Sequence, residues 1–253
     1  MTQPIYAIGD IHGHKGALDH ALALIAADGG PDSRVVFLGD YTDRGPHSRD
    51  VVQTLVDGFE AGRNWAAVRG NHDRMFCRFV RDGNQHDGRI LSGKGWLHDA
   101  LGGPATLRSY GVDPETDDLP ALVAAARAAV PEAHLAFLEN LPLWHREGPL
   151  LFVHAGIRPG VPLEEQTEDD LIWIRGEFLE DDRDHGALIV HGHTALYYPA
   201  HFGNRIDLDG GAGYGRPLIP AVFEGRDCWL LTEEGRQPLV PPDHPLHVVG
   251  HWG

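Results

Sequence analysis

Asp10, His12, Asp40, Asn71, His154 and His193 can each offer an oxygen or a nitrogen to a metal ion, and each follows a short apolar run. Ile5-Tyr6-Ala7-Ile8 leads into Gly9-Asp10-Ile11-His12-Gly13, and Val35-Val36-Phe37-Leu38 into Gly39-Asp40-Tyr41-Thr42-Asp43-Arg44-Gly45. Ala66-Ala67-Val68 leads into Arg69-Gly70-Asn71-His72-Asp73. Leu150-Leu151-Phe152-Val153 ends on His154, and Ala187-Leu188-Ile189-Val190 ends on His191-Gly192-His193-Thr194. A short apolar run bounded by glycine reads as a buried strand. In open α/β sheets, sites assemble beyond the carboxyl ends of strands. One strand-end aspartate is a loop residue, whereas this ordered series is a metal site drawn from a whole sheet. The donors are all oxygen and nitrogen, which suits Mn, Fe or Zn better than a thiolate-loving ion.

Helices must link these strands. Residues 17–27 place Leu18, Leu22 and Ile25 at helical spacing, and Asp28-Gly29-Gly30-Pro31 stops the pattern. Residues 48–61 repeat it, with Ser48 as the expected cap and Val52, Leu55, Val56 and Phe59 as the buried stripe. Strand, motif, helix, strand is a βαβ rhythm and implies parallel strands, so the expected fold class is α/β. Residues 83–149 break the rhythm. A glycine-rich stretch from Gly83 to Gly103 carries Trp96, and helices are expected over 118–130 and 131–140. This segment reads either as a helical insertion beside the metal site or as ordinary scaffold packing. Strands are expected over 205–208, 220–224 and 227–231. The domain is expected to span 1–237, with 238–253 as a loosely packed tail rich in Pro and His.

Composition narrows the partners. A net charge of -16 over 253 residues argues against nucleic acid, whose phosphates call for clustered Lys and Arg. It also disfavours an anionic membrane surface. The chain has no apolar stretch of about 18 residues, so no membrane span is expected. Met1-Thr2-Gln3-Pro4 runs into the first strand without a basic or apolar leader. Cys77 and Cys228 are far apart and read as two free thiols in a reducing cytoplasm. Most of the 17 histidines, among them His20, His86, His134 and His247, sit in no motif.

The tags GDIHG (9–13), GDYTDRG (39–45), RGNHD (69–73), HAG (154–156) and GHT (192–194) together resemble the phosphoprotein phosphatase family of calcineurin-like metallophosphoesterases. Each tag alone is weak, but all five in order are specific, and the resemblance spans about residues 4–232. Trp173-Ile174-Arg175 makes the bacterial and phage branch, that of bacteriophage lambda phosphatase, look closest. The resemblance implies a βαβ sandwich of two sheets flanked by helices. It also implies two divalent ions, with Mn2+ favoured over Fe or Zn. Asp10, His12 and Asp40 would hold the first ion, and Asp40, Asn71, His154 and His193 the second. Ala195 stands where many wider metallophosphoesterases carry another His ligand, and His191 is expected as a packed strand-end residue.

The resemblance makes His72 the general acid and Asp43 the carboxylate that keeps it charged. Arg44, Arg69 and Arg175 become phosphate-gripping residues, since guanidinium forks match phosphate geometry. The expected activity is metal-dependent hydrolysis of phosphoserine and phosphothreonine, with phosphotyrosine also possible, by metal-activated water. The substrate would be a phosphorylated protein or a small phosphoester. The alternative is a symmetrical dinucleoside tetraphosphate hydrolase, and third comes a non-catalytic scaffold. The tags divide on substrate. Asp73 looks like the dinucleotide branch, which typically has Ala where this chain has Asp43. Asp209-Gly210-Gly211 also stands where the family often has Asp-Thr-Gly.

Overall fold

The apolar runs that precede the candidate ligands do form strands in the computed structural model, which describes residues 3–242. Along the chain come β1 (Ile5–Ile8), α1 (Lys15–Gly29), β2 (Arg34–Phe37), α2 (Ser48–Glu60), β3 (Trp65–Ala67) and α3 (Asn71–Asp82). Helices α4 (Gly103–Ser109), α5 (Leu119–Ala129) and α6 (Glu132–Glu139) lead to the hairpin of β4 (Trp144–Glu147) and β5 (Leu150–Val153). After α7 (Glu168–Trp173) and α8 (Gly176–Leu179) follow β6 (Leu188–His191), β7 (Ala200–His201) and β8 (Arg205–Asp207). β9 (Ala221–Glu224), β10 (Asp227–Thr232) and β11 (Gly235–Pro238) close the described chain.

These strands make two sheets, ordered β11-β10-β9-β1-β2-β3 and β4-β5-β6-β8-β7. β1, β2 and β3 pair in parallel, with Ile5 opposite Arg34 and Val35 opposite Trp65. β5, β6 and β8 also run parallel, with Leu151 opposite Ile189 and Val190 opposite Ile206. The period-two alternation of side chains buries both faces of the central strands. Ala7 and Val36 pack with Phe152, Val190, Ile206 and Phe223 between the sheets. Tyr6, Ile8, Val35 and Phe37 turn the other way and pack with Leu18, Val52 and Phe76 under α1, α2 and α3. On the far face of the second sheet, Val153 and Ile189 pack with Leu171, Ile172 and Phe178 from α7 and α8. The fold is therefore the expected two-sheet α/β sandwich flanked by helices.

Several local expectations shift. Ser48 is the first residue of α2 rather than its cap, and its hydroxyl accepts from the Asp43 N–H at 3.1 Å. Asn71 opens α3, whose Met75, Phe76, Phe79 and Val80 are buried, so the RGNHD motif runs into a helix start. Residues 83–149 build no core of their own. Trp96, Leu107, Tyr110, Leu122 and Leu135 join Leu18, Val52 and Phe76 in one cluster. The segment also contains β4, paired antiparallel with β5 (Trp144 opposite Val153), so a boundary at 149 cuts through a hairpin. At the other end, β11 runs through Pro238, and Leu239 donates its N–H to the Cys228 carbonyl. The start of the expected tail is thus attached to the sheet, and residues 243–253 of it lie outside the described residues.

Candidate metal centre

The two sheets are tied together where their strands end. Leu38 N–H donates to the Ile8 carbonyl, and Val68 N–H to that of Phe37. Across the sandwich, the His154 ring donates from Nδ1 to the Leu38 carbonyl at 2.7 Å. The loops after β1, β2, β3, β5 and β6 therefore meet in one place, and all six expected ligands are buried there.

Asp40 is the centre of that place. Its Oδ2 lies 3.5 Å from His12 Nε2, and its Oδ1 lies 3.4 Å from His154 Nε2. On the first side, Asp10 Oδ2 lies 3.9 Å from His12 Nε2. On the second, Asn71 Oδ1 is 2.9 Å from His154 Nε2 and 2.8 Å from His193 Nδ1. The donor atoms form two groups, each within 4.8 Å of one another: Asp40 with His12 and His72, and Asp40 with His154 and His193.

The donor set fits divalent cations. His12 Nδ1 donates to the Thr42 carbonyl at 2.9 Å, as His154 does to Leu38, so in both rings Nε2 keeps its lone pair for the cluster. Burial pushes His12 and His193 well below the usual imidazole range and His154 down to about 3, so all three rings stay neutral near pH 7. His193 Nε2 is buried without a partner. Burial, with the charges of Asp209 and Asp40, raises Asp10, and burial with that of Asp73 raises Asp40. Carboxyls held so uncomfortably call for a cation between them.

The backbone is strained at this point. Among the described residues, the non-glycine positions with left-handed φ are His12 (47°), Asp40 (52°), Asp43 (74°), Arg44 (66°) and His193 (67°). Each costs of order 1–3 kcal/mol, and such residues collect at functional sites. Two glycines are needed for close approach, since a Cβ on Gly70 would collide with Asp40 and one on Gly192 with Asp10 Oδ1.

His72 stands beside the cluster with its ring 4.8 Å from that of His12. Its Nδ1 donates to Asp43 Oδ2 at 2.7 Å, and its Nε2 lies 3.4 Å from Arg44 Nη2. The Asp43 carboxylate raises the His72 pKa as expected, but burial outweighs it and the net direction is down. Arg44 Nη1 lies 3.0 Å from His12 Nε2. Arg175 donates to Thr194 Oγ1 at 3.1 Å and to the His193 carbonyl at 3.2 Å, which puts it at the rim of the second group. Arg69 differs. Its guanidinium is paired with Glu168 and donates to the Glu139 carbonyl at 3.3 Å. The residue expected to grip phosphate is thus paired with an acidic side chain 99 positions away. His191 is buried, 3.4 Å from Arg205 Nη1, and takes no place among the donors.

Sequence reasoning missed three parts of the site. Trp96 Nε1 and Thr106 Oγ1 both donate to Asp43, each at 2.8 Å, so the 83–149 segment supplies two of the three donors on that carboxylate. A lone tryptophan in a glycine-rich stretch gave no signal for this. Asp73 does not face the cleft, because its carboxylate accepts from the N–H groups of Asp40 (2.9 Å), Gly70 (3.0 Å) and Tyr41 (3.0 Å). It holds the Asp40 loop, so its identity bears on scaffold rather than substrate. Asp209, buried after β8, raises the Asp10 carboxyl, but no apolar run marks it, since the charged Arg205 and Asp207 interrupt the strand before it.

The chain is similar over 92% of its length to the bis(5'-nucleosyl)-tetraphosphatase PrpE [asymmetrical] of Halalkalibacterium halodurans, with 29% identity and 94% of that protein covered. The protein of the same name from Bacillus subtilis is 27% identical over 85% of this chain and 89% of its own. Among solved structures, the cold-active protein-tyrosine phosphatase of a psychrophilic Shewanella species has the same fold, with a TM-score of 0.62, 15% identity, and coverage of 95% of this chain and 81% of that one. The family model described as calcineurin-like phosphoesterase matches residues 3–251, a stretch that includes both sheets and every strand-end ligand, and the chain belongs to that family of metal-dependent phosphoester hydrolases.

Proposed function

We propose that the chain is a two-metal hydrolase that cleaves the phosphoanhydride bridge of dinucleoside polyphosphates. The observation that carries the two-metal chemistry is Asp40, whose two oxygens face two separate sets of neutral nitrogen and oxygen donors. Asp10, His12 and Asp40 would hold one ion, and Asp40, Asn71, His154 and His193 the other. When bound, such ions supply Lewis-acid polarisation of a phosphoryl oxygen and a water acidic enough to serve as nucleophile near neutral pH. Arg44 and Arg175 orient the phosphoryl oxygens from opposite rims of the cluster. His72 delivers a proton from Nε2 to the departing oxygen, and Asp43 fixes the ring through Nδ1.

The substrate class rests on the relatives, which are named bis(5'-nucleosyl)-tetraphosphatases and match over nearly their whole length. Those names also say asymmetrical, so the expected cut leaves a triphosphate on one nucleoside and a monophosphate on the other. The Asp43–His72 pair favours a second reading, the phosphomonoesterase expected above, because an alkoxide leaving group needs the proton that a nucleotide phosphate does not. The deciding experiment compares kcat/KM for diadenosine tetraphosphate and for a phosphoserine peptide under one metal and one pH. Products are resolved by anion exchange. AMP with ATP is the expected pair, and ADP alone would mark symmetrical cleavage. A clear preference for the phosphopeptide would overturn the dinucleotide reading.

A further inference from the structure

We infer that Tyr214, Arg216 and Tyr197 form a platform on which a nucleoside base stacks at the edge of the metal centre. The inference rests on the dinucleotide reading and adds which residues hold the base. Tyr214 ends a short 3-10 turn, Ala212–Tyr214, set between Gly211 and Gly215, both in the left-handed region. The turn touches the site directly: a Cβ on Gly213 would stand 2.6 Å from His12 Cδ2 and 2.9 Å from Arg44 Nη1. Tyr214 is nevertheless 61% exposed, and the Arg44 guanidinium lies 4.7 Å from the centre of its ring.

The series continues outward. Arg216 lies 5.8 Å from the Tyr214 ring and 4.1 Å from that of Tyr197, which is 84% exposed. Arg216 Nη1 donates to the Leu196 carbonyl at 2.9 Å, so the guanidinium is held beside both rings. Arginine and tyrosine thus alternate from His12 to the surface: Arg44, Tyr214, Arg216, Tyr197.

This arrangement suits a ligand that carries both phosphate and a flat aromatic group. In a chain of net charge -16, Arg44, Arg175 and Arg216 all act on the buried Asp209, so the cleft gathers cations against the overall charge. Phosphate alone needs Arg44 and Arg175. Two exposed tyrosines with a guanidinium between them add π faces, which bind bases by stacking and by cation–π contact. A phosphoserine offers no such flat surface.

The test is competition against p-nitrophenyl phosphate hydrolysis by the metal-loaded protein, with AMP and ribose 5-phosphate as competitors. These differ only in the base. In the wild type, AMP should inhibit about tenfold more tightly than ribose 5-phosphate. In Tyr197→Leu and in Tyr197→Leu with Tyr214→Leu that ratio should fall toward about one, while the paired Phe substitutions keep it. The readout is a ratio within each variant, so a general loss of activity cancels. Direct calorimetric titration with AMP should follow the same order. Equal inhibition by the two competitors in the wild type, or a ratio unchanged in the Leu variants, would overturn the platform. Tighter binding of an aromatic phosphopeptide than of AMP would overturn it too. Failure of the dinucleotide reading shows separately, as preferred turnover of the phosphopeptide.

Discussion

Asp43→Asn is the perturbation that best separates proton delivery from scaffolding. The native carboxylate accepts from His72 Nδ1 at 2.7 Å, Trp96 Nε1 at 2.8 Å and Thr106 Oγ1 at 2.8 Å. His72 and Trp96 share Oδ2, so an asparagine that keeps its oxygen there still accepts both. Its NH2 then faces the Thr106 hydroxyl, which can accept. Shape and bonding survive, and only the charge is lost. Hydrogen bonds to charged groups contribute about 1.5–3 kcal/mol against about 0.5–1.5 for neutral ones. The loss at His72 is therefore about 1–1.5 kcal/mol, or roughly 5- to 12-fold in any step that needs its proton. Asp43→Ala would instead strand three buried donors at about 1–3 kcal/mol each, and would confuse catalysis with folding. The assay is kcat/KM over aryl phosphates of graded leaving-group pKa, with metal content measured alongside. The deficit should grow as the leaving group worsens and be small for diadenosine tetraphosphate. An equal loss for all leaving groups, or a parallel loss of metal, would refute the assignment of His72 as acid and Asp43 as its support.

Four further outcomes follow from the structure. Chelator-stripped protein should be inactive and regain activity with Mn2+. Asp40→Asn should bind fewer ions than Asp10→Asn, because one residue serves both groups; equal metal content by elemental analysis would contradict a shared ligand. Arg175→Ala should weaken competitive inhibition by phosphate, whereas Arg69→Ala should leave it unchanged and cost under about 1 kcal/mol of stability, its pairing being with Glu168. The last concerns acid. Arg236 donates to Asp28 at 2.7 Å and Tyr6 donates to it at 2.7 Å, and the guanidinium holds the Asp28 carboxyl below its ordinary value. A depressed folded pKa stabilises above the unfolded value, near 3.9, and that stabilisation is lost as pH falls through the folded value. Arg236→Ala should thus be less stable than wild type in urea at pH 7, with the gap closing below about pH 4; a gap that widens in acid would refute this.

The substrate question turns on leaving groups. A carboxylate on the acid is the device a serine or threonine alkoxide requires, and Asp43 has it. In this structure, however, Asp43 is also the acceptor that anchors Trp96 and Thr106. The same residue therefore has a packing reason to be acidic, which lowers its weight as a marker of phosphoprotein chemistry. Asp73 loses its weight in the other direction, since it ties down backbone N–H groups and never reaches the cleft. What remains to separate the substrates is the surface around the cluster, where the tyrosines and Arg216 stand.

Sequence alone was enough for the strand ends that carry the candidate ligands and for the βαβ rhythm of the fold. Ligands follow strands directly, so reading the end of an apolar run also locates the donor: Asp10 after β1, Asp40 after β2, Asn71 after β3, His154 after β5 and His193 after β6. Backbone direction carries that information locally, and parallel pairing brings the ends together. The choice of partner for a long side chain is not local. Arg69 and Arg44 sit in equally regular motifs, yet one turns to Glu168 and the other to His12 and His72, because the residues within reach come from remote elements. The same holds for Trp96 and Thr106, brought onto Asp43 only when 83–149 folds into the common core. Short edge strands such as β4, β7 and β11 escaped notice because none of them has a fully buried residue, leaving no apolar run to read. Strand ends place the candidate metal ligands by covalent order, whereas the cations, the acid's support and the rim of the cleft depend on which surfaces the packing of two sheets and eight α-helices sets side by side.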